Sequence, residues 1–306
     1  MIICGGEALI DMLPRESRDG EEAFAPHPGG AVFNTAVALG RLGAPVGLIA
    51  GLSRDFFGDM LRRRLEESGV EDGLAVVSDR PTTLAFLRLE DGHARYAFYD
   101  ENTAGRMLRP EDMPPLPEAA QALFVGGISL MGEPCGSAFE ALAMREAGRR
   151  VVMLDPNIRP GFITDEAACR ARLERMIARS DIVKLSDEDL SWLARGAEPA
   201  AAAQALLERG PRLVLVTEGA RGAVGYAESL EVRVAAPKVR VVDTVGAGDT
   251  FNAGVLAALH EAGALSRAAL KAPEARVLEE ALFLGVRAAA VTVSRAGANP
   301  PWREEL

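Results

Sequence analysis

The sequence has little of what nucleic-acid-binding proteins depend on. Aromatic residues make up only 5% of the 306 positions, which argues against stacking platforms for single-stranded nucleic acid. The formal net charge is −10, so no broad electrostatic attraction to nucleic acid or to anionic lipid is expected. We therefore expect neither nucleic acid nor a membrane surface among the partners of this protein.

Cysteine and long apolar runs are also scarce. The three cysteines, Cys4, Cys135 and Cys169, are far apart and odd in number, so they predict neither a disulfide framework nor a zinc site. No apolar run approaches the roughly 18 residues that would cross a bilayer. The N-terminus reaches the acidic residue Glu7 too early for a signal peptide. These features predict a cytoplasmic protein.

The order of predicted elements indicates an α/β fold. Hydrophobic residues make up 48% of the chain, enough for one large domain or two small ones. Short apolar runs at 2–5, 122–126, 151–154 and 213–217 predict buried strands, with helical patterns between most of them. Strands that alternate with helices favour a parallel sheet covered on both faces.

The stretch at 241–257 carries the strongest functional signal. Its first residues are β-branched and apolar and predict a strand that enters a core. A Gly-Ala-Gly turn follows at 246–248, and Phe251, Val255 and Leu259 then recur at helical spacing. A tight turn before a helix presents free backbone N–H groups and the positive end of the helix dipole. An anion is the expected ligand of such a turn.

Asp249 lies in the same turn, and its carboxylate has two interpretations. One is a helix cap, which stabilises a protein by ~1 kcal/mol. The other is a general base that takes a proton from a hydroxyl while the N–H groups of Ala247 and Gly248 hold the charge on a phosphoryl group. Phosphoryl transfer to an alcohol needs the second arrangement.

Two stretches resemble the signatures of the ribokinase-like (PfkB) sugar kinases. Residues 243–251, Asp-Thr-Val-Gly-Ala-Gly-Asp-Thr-Phe, resemble the C-terminal signature of that family, and 29–43 resemble its N-terminal signature. The order of the other pieces fits the family across essentially the whole chain. Within the family the sequence is most similar to bacterial fructokinases, and the pieces that indicate this are 6–11, 96–104, 155–159 and 294–300.

The resemblance implies a three-layer α/β/α sandwich with a mostly parallel central sheet and a small β-hairpin lid. It implies one kinase domain at 1–306, with lid segments inserted at about 12–28 and 82–104. Alternating runs on either side of 90–93 independently predict a hairpin with Asp-Gly as its turn, which is either an edge appendage or a lid that excludes water. Residues 14–28 are charged, contain prolines and have no clear helical period, so they are expected to form an exposed segment over the site. His93, at the hairpin tip, is expected to be solvated.

The implied activity is ATP-dependent phosphorylation of a sugar at a primary hydroxyl, with D-fructose giving D-fructose 6-phosphate as the first hypothesis. The alternatives are a 2-keto-3-deoxygluconate kinase and a ribokinase, and a non-catalytic sugar or nucleotide sensor on the same fold. A sugar-acid kinase would need a cation for the substrate carboxylate. The lid segment 96–99 offers aromatic residues and no arginine after Arg95, which favours a neutral sugar.

The resemblance also implies which residues hold the sugar and transfer the phosphoryl group. Asp249 would be the base, and the backbone of Gly246, Ala247 and Gly248 would stabilise the transferring group. Without the resemblance, Asp11 is a solvated carboxylate, Asn34 an ordinary helix position and Arg159 a surface arginine. The sugar-site residues are Asp11, Gly29, Gly30, Asn34, Phe98 and Arg159.

The nucleotide and metal residues are implied in the same way. The nucleotide site would use Lys184, Thr217, Gly219, Gly222 and Asn299. Magnesium would be held through water near Ser186-Asp-Glu-Asp189, by Glu188 or Asp189, although acidic residues that open a helix also suit its dipole. A monovalent cation, potassium, would bind the Asp243 carboxylate and the carbonyls of Val245, Thr292, Arg295 and Gly297. A homodimer would form through the lid.

Overall fold

The structure is a computed structural model that describes residues 1–90, 93–194 and 196–306. A nine-stranded sheet forms its centre. Its strand order is β15-β14-β13-β12-β11-β10-β1-β4-β6, and neighbouring strands are parallel except for the antiparallel pairs β13-β14 and β14-β15 at one edge. The strands are β1 (Ile2–Gly5), β2 (Leu9–Glu16), β3 (Glu22–Gly29), β4 (Val46–Ile49), β5 (Gly51–Ser53), β6 (Val70–Glu71), β7 (Val76–Ser78), β8 (Thr83–Glu90), β9 (His93–Tyr99), β10 (Ala122–Gly126), β11 (Val151–Asp155), β12 (Ile182–Ser186), β13 (Leu213–Thr217), β14 (Ala223–Ala227) and β15 (Leu230–Val234).

Helices cover both faces of this sheet, because successive residues of each strand point to opposite sides and both sets are apolar. In β1, for example, Ile2 and Cys4 belong to one buried cluster and Ile3 to the other. This confirms the three-layer sandwich. The helices are α1 (Ala31–Arg41), α2 (Phe56–Glu67), α3 (Cys135–Glu146), α4 (Glu166–Ile177), α5 (Asp187–Ala194), α6 (Pro199–Leu207), α7 (Ala247–Glu261), α8 (Arg267–Lys271) and α9 (Ala275–Val293).

A second sheet of four strands, in the order β3-β2-β8-β9, forms the lid. The hairpin predicted around 90–93 is present as β8 and β9, while its Asp-Gly turn lies outside the described residues, as does the side chain of His93. The segment at 14–28, expected to be exposed, is exposed or half-buried, and it forms most of a hairpin of β2 and β3 that the sequence did not indicate. Three prolines interrupt the alternation of apolar and polar residues by which strands are recognised in a sequence. Pro26 and Pro28 are tolerated because β3 is an edge strand, and Pro14 because it lies beyond the pairing with β8.

The strand predicted at the start of 241–257 is absent from the described residues. Val241 and Val242 are 59% and 56% exposed, and the N–H of Val242 donates to the carbonyl of Val293 at the end of α9 (2.7 Å). The apolar side chains therefore border the cavity region instead of entering the core. The helix predicted after the turn is α7, and its partner α9 is close enough that a methyl group on Gly254 would lie 2.7 Å from Gly285 Cα. The backbones of α7 and α9 are therefore in close contact at these two glycines.

The described helices include none with the length and hydropathy needed to cross a membrane.

Candidate active site

A cavity of about 840 Å³ lies between the lid and the carboxyl ends of the central strands. Parallel strands end at the same edge of a sheet, where open α/β folds bind ligands. The cavity brings together the predicted sugar residues Asp11, Gly30, Asn34, Phe98 and Arg159 with the turn at 246–249. A volume of this size is typical of a site for small molecules.

The turn before α7 is built on Gly246, which has φ 78° and is the N-cap residue. A methyl group there would lie 2.8 Å from Ala298 Cβ, so glycine is required for both conformation and space. The N–H of Ala247 donates to Thr244 O (3.3 Å), whereas the N–H groups of Gly248 and Asp249 have no acceptor in the described part of the chain. Two free amides at the positive end of the helix dipole can therefore hold an anion.

Asp249 is buried at the third position of α7 and is 6% exposed. Its Oδ2 accepts a hydrogen bond from Asn34 Nδ2 (2.9 Å), and its carbonyl accepts one from Thr35 Oγ1 (3.2 Å). Burial raises the pKa of Asp249 to about 7, and nearby Asp155 adds to this while the Asn34 bond and Lys184 oppose it. A carboxylate whose pKa is near neutral suits a general base. No capping bond from this side chain to the start of α7 is present among the described residues, which favours the base over the cap.

On the lid side of the cavity, Asp11 lies in β2 and is paired with Ala85 of β8, which is itself paired with Phe98 of β9. Asp11 and Phe98 therefore share one face of the lid, and this face lines the cavity. Burial raises the pKa of Asp11 to about 7. A methyl group on Gly29 would lie 2.1 Å from Asp11 Oδ2, so glycine makes room for this carboxylate.

The lid contacts the central unit through aromatic rings next to the predicted sugar site. The rings of Phe98 and Phe162 meet edge to face with centroids 4.0 Å apart. Phe162 follows Arg159, and both residues line the cavity. The Arg159 Nη1 donates to the carbonyl of Ile158 (3.0 Å), and the side chain lies on the cavity wall.

Glu7 is a buried residue of this site for which the sequence analysis predicted no role. Its Oε1 accepts from the N–H of Ala31 (2.9 Å) and its Oε2 from the N–H of Ser129 (3.2 Å). Because Ala31 is the first residue of α1, Glu7 fixes the start of the helix that carries Asn34. Its position two residues after β1 could have indicated a role, because open α/β sheets bind ligands just beyond the carboxyl ends of their strands.

Lys184, predicted for the nucleotide site, forms a buried cluster near the start of α7 with two residues that were not predicted, Asp155 and Asn252. Lys184 Nζ donates to Asp155 Oδ2 (3.0 Å), and Asn252 Nδ2 donates to the same oxygen (2.7 Å). All three side chains are buried. Burial lowers the pKa of Lys184, but Asp155 and Asp189 outweigh burial and hold this pKa above its ordinary value. Lysine is therefore charged in this position.

On the nucleotide side, Thr217, Gly219 and Gly222 line the cavity at the end of β13. Gly219 has φ 57° and Gly222 φ 107°, which are conformations that favour glycine. The structure does not bring Asn299 into the cavity lining. Its Oδ1 accepts a hydrogen bond from Arg41 Nη1 (2.8 Å), so its side chain is held on α1.

The acidic run at the start of α5 contains a reciprocal cap. Ser186 Oγ accepts from the N–H of Asp189 (3.0 Å), and Asp189 Oδ2 accepts from the N–H of Ser186 (3.0 Å). Asp189 Oδ1 also accepts from the N–H of Ile158 (2.8 Å). Both oxygens of Asp189 are thus engaged, whereas Glu188 is exposed on the cavity wall and its carboxylate has no partner within the described ranges.

Asp243 connects the two loops predicted to hold a monovalent cation. Its Oδ1 accepts from the N–H of Val245 (3.0 Å) and its Oδ2 from the N–H of Gly297 (2.9 Å). The N–H of Asp243 also donates to the carbonyl of Val293 (3.2 Å) at the end of α9, and the N–H of Arg295 donates to the Thr292 carbonyl (3.1 Å). No cluster of three or more histidine, cysteine, aspartate or glutamate side chains with metal-binding geometry occurs in the part of the chain that the structure describes.

Known proteins resemble this chain in both sequence and structure. Residues 1–305 match the model of the pfkB family carbohydrate kinases. A fructokinase from Rhizobium leguminosarum bv. trifolii is 53% identical over 259 residues, covering 85% of this chain and 79% of that protein. A fructokinase from Xylella fastidiosa with bound ATP superposes with a TM-score of 0.86 at 32% identity, over 97% of this chain and 93% of that one.

A third similar protein is a fructokinase variant from Vibrio cholerae in a form with fructose, ADP and a potassium ion bound. It superposes with a TM-score of 0.85 at 25% identity, over 97% of this chain and 93% of that one. The family match spans nearly the whole chain, and the parallel sheet, the lid and the glycine turn before α7 agree with it. The chain therefore belongs to the pfkB family of carbohydrate kinases.

Proposed function

We propose that this protein is an ATP-dependent fructokinase that converts D-fructose to D-fructose 6-phosphate. The observation that carries the proposal is the convergence of the buried Asp249 carboxylate with the free N–H groups at the start of α7, in one cavity under the lid. The choice of fructose rests on the similar proteins, which are named fructokinases. Residues 1–306 would act as one kinase domain, with lid segments at about 12–28 and 82–104.

In the proposed reaction, Asp11, Gly30 and Asn34 hold the sugar so that its primary hydroxyl faces Asp249. Asp249 accepts the hydroxyl proton while the sugar oxygen forms a bond to the γ-phosphorus and the bond from that phosphorus to the ADP oxygen breaks. The N–H groups of Gly248 and Asp249 stabilise the charge on the transferring group. Phe98 and Phe162 cover the site and exclude water.

The acidic wall of the cavity suits magnesium, because carboxylate oxygens and water are the ligands this ion prefers. Glu188 would hold it through water, and Asp189 would act by fixing the start of α5 through its cap. When bound, magnesium neutralises charge on the triphosphate. Thr217, Gly219 and Gly222 would contact the nucleotide phosphates.

Potassium would bind where Asp243 joins its two loops, with the carbonyls of Val245, Thr292, Arg295 and Gly297 as further ligands. The potassium ion bound to the Vibrio cholerae fructokinase variant supports a potassium site here.

The outer face of the lid supports the proposal of a homodimer. Phe24 (46% exposed) and Tyr99 (63% exposed) both meet Phe86 edge to face there.

A coupled assay of ADP release tests the function directly. Fructose, ribose, 2-keto-3-deoxygluconate and adenosine would be compared at equal concentrations, with and without magnesium and potassium. We expect the highest kcat/KM with fructose. A higher kcat/KM with another acceptor would replace fructose as the substrate, and no ADP release with any of them would favour a sensor.

A further inference from the structure

Lys184, predicted for the nucleotide site, lies directly beside the start of α7. It is 3% exposed, and it lines the same cavity as Asp249. A methyl group built on Gly248 would lie 3.1 Å from Lys184 Nζ, so the ammonium group is beside the first turn of α7. The glycine at 248 leaves the space that this group occupies.

A buried cation beside the start of a helix is energetically unfavourable. The start of a helix carries partial positive charge, which repels an ammonium group, and burial removes the water that would solvate it. Asp155 offsets this cost by forming the ion pair with Lys184. Asp189 adds to this offset, so the ammonium group stays charged beside an anion-binding turn, where it can also meet a bound anion.

Asp155 is held from several sides, and it therefore fixes the position of Lys184. Its Oδ2 accepts from Asn252 Nδ2 (2.7 Å), and its Oδ1 accepts from the N–H of Asn157 (3.1 Å). Asn252 Oδ1 is buried and has no hydrogen-bond partner among the described residues, so Asn252 is held through its contact with Asp155. Asp155 ends β11 and Asn252 lies in α7, so the pair is attached to two rigid elements.

An ammonium group has three N–H donors, and Asp155 is the one acceptor for Lys184 within the described ranges. At least one further N–H donor of Lys184 is therefore free, and Lys184 lines the same cavity as Gly248 and Asp249, whose N–H groups are also free. Two sources of positive charge then surround one location: the free amides at the positive end of the helix dipole, and the ammonium group.

We propose that Lys184 is a catalytic residue that donates a hydrogen bond to a non-bridging oxygen of the phosphoryl group during its transfer. Asp155 and Asn252 are positioning residues that act through Lys184. The inference rests on the proposed kinase function and deepens it. Lys184 keeps its proton throughout, because the hydroxyl proton goes to Asp249, and the bonds formed and broken are those at the phosphorus.

The first experiment compares Lys184→Met with wild type in the coupled assay and measures ADP affinity by calorimetry. Removal of one donor to a transition-state oxyanion lowers kcat by about 100-fold or more. We expect that loss, with KM for fructose and Kd for ADP within about threefold of wild type. If kcat stays within about threefold, or if ADP affinity falls as much as kcat, the proposal is overturned.

The second experiment keeps the test valid if Lys184→Met leaves Asp155 as an unpaired buried charge and unfolds. The double variant Lys184→Met/Asp155→Asn has no unpaired charge at this site. We expect its kcat to match that of Lys184→Met within about threefold, because Asp155 acts through Lys184. A folded double variant with wild-type kcat would overturn the proposal.

Chemical rescue separates the ammonium group from a structural role. In Lys184→Cys, alkylation with 2-bromoethylamine rebuilds a side chain that ends in an ammonium group. We expect alkylation to raise kcat at least about tenfold in this variant and to leave wild type unchanged. Failure of the alkylated variant to regain kcat, with modification confirmed by mass spectrometry, would contradict the proposal.

Arg150→Met is the matched control for the loss of an ion pair. Arg150 pairs with Glu146, which is 3% exposed, away from the cavity lining. This variant should lose stability and keep kcat. Inactive wild-type enzyme would contradict the kinase function itself, whereas active wild type with an equally active Lys184→Met would contradict only the role of Lys184.

Discussion

Asp249→Asn should make the protein less active and more stable at the same time. The substitution keeps the shape of the side chain and an oxygen that can accept the hydrogen bond from Asn34 Nδ2. It removes the proton acceptor, so kcat should fall by about 100-fold or more. It also removes a carboxylate that burial disfavours in its charged form.

The size of the gain in stability follows from the pKa. The folded-state pKa of Asp249 is about 7 and the ordinary value is 3.8. Because the folded pKa is the higher one, the folded protein holds the proton more tightly, and stability is lost as pH rises from about 4 through about 7. Above pH 7 the loss reaches at most ~4 kcal/mol. Asp249→Asn should recover much of this at pH 8 and nothing at pH 4.

Urea unfolding at pH 8 and pH 4, together with the coupled assay, measures both effects. Asp59→Asn on α2 is the matched control, because Asp59 is an exposed first-turn aspartate. It should leave kcat unchanged and move the free energy of unfolding by only ~0.5 kcal/mol. A wild-type kcat in Asp249→Asn would refute the role of Asp249 as the general base. A free energy of unfolding below that of wild type at pH 8 would refute the claim that burial disfavours its charged form.

Three further outcomes test the rest of the site. Asp11→Asn should raise KM for fructose about tenfold or more with little change in kcat, because a charged acceptor for sugar hydroxyls is lost; an unchanged KM would remove Asp11 from the sugar site. Between pH 7 and pH 5 the slope of log kcat/KM for fructose against pH should approach two, since Asp11 and Asp249 both have a pKa of about 7, and Asp11→Asn should reduce it to about one. A flat profile down to pH 5 would contradict both pKa values. Gly246→Ala should cost about 1–2 kcal/mol of stability from its φ of 78° and lower kcat further by shifting the turn against Ala298, whereas Gly263→Ala, at φ 65° with open space around it, should cost stability alone. Equal kcat in the two glycine variants would show that the turn tolerates the shift.

The sequence predicted the elements whose signal is local. The strands at 2–5 and 213–217 have the predicted bounds, because a continuous apolar run limited by glycine or a polar residue defines a buried strand. The turn before α7 was also predictable, since Gly246 is required by a single backbone angle. Val241 was misleading, because its β-branched side chain indicates a strand but lies beside the cavity.

Other parts of the site depend on contacts between distant segments. Asp155, Lys184 and Asn252 come from three different elements, and no spacing in the sequence relates them. One of the two Asp189 oxygens likewise accepts its hydrogen bond from Ile158, which lies 31 residues away. Such contacts depend on which strands are neighbours in the sheet, and no local sequence pattern indicates the strand order.

The most direct test of the central claim is a crystal structure with fructose and a non-hydrolysable ATP analogue bound. We predict that the primary hydroxyl of fructose lies about 3 Å from the Asp249 carboxylate, with the terminal phosphate against the N–H groups of Gly248 and Asp249. A terminal phosphate that points away from the start of α7, in a closed complex with both ligands present, would contradict it.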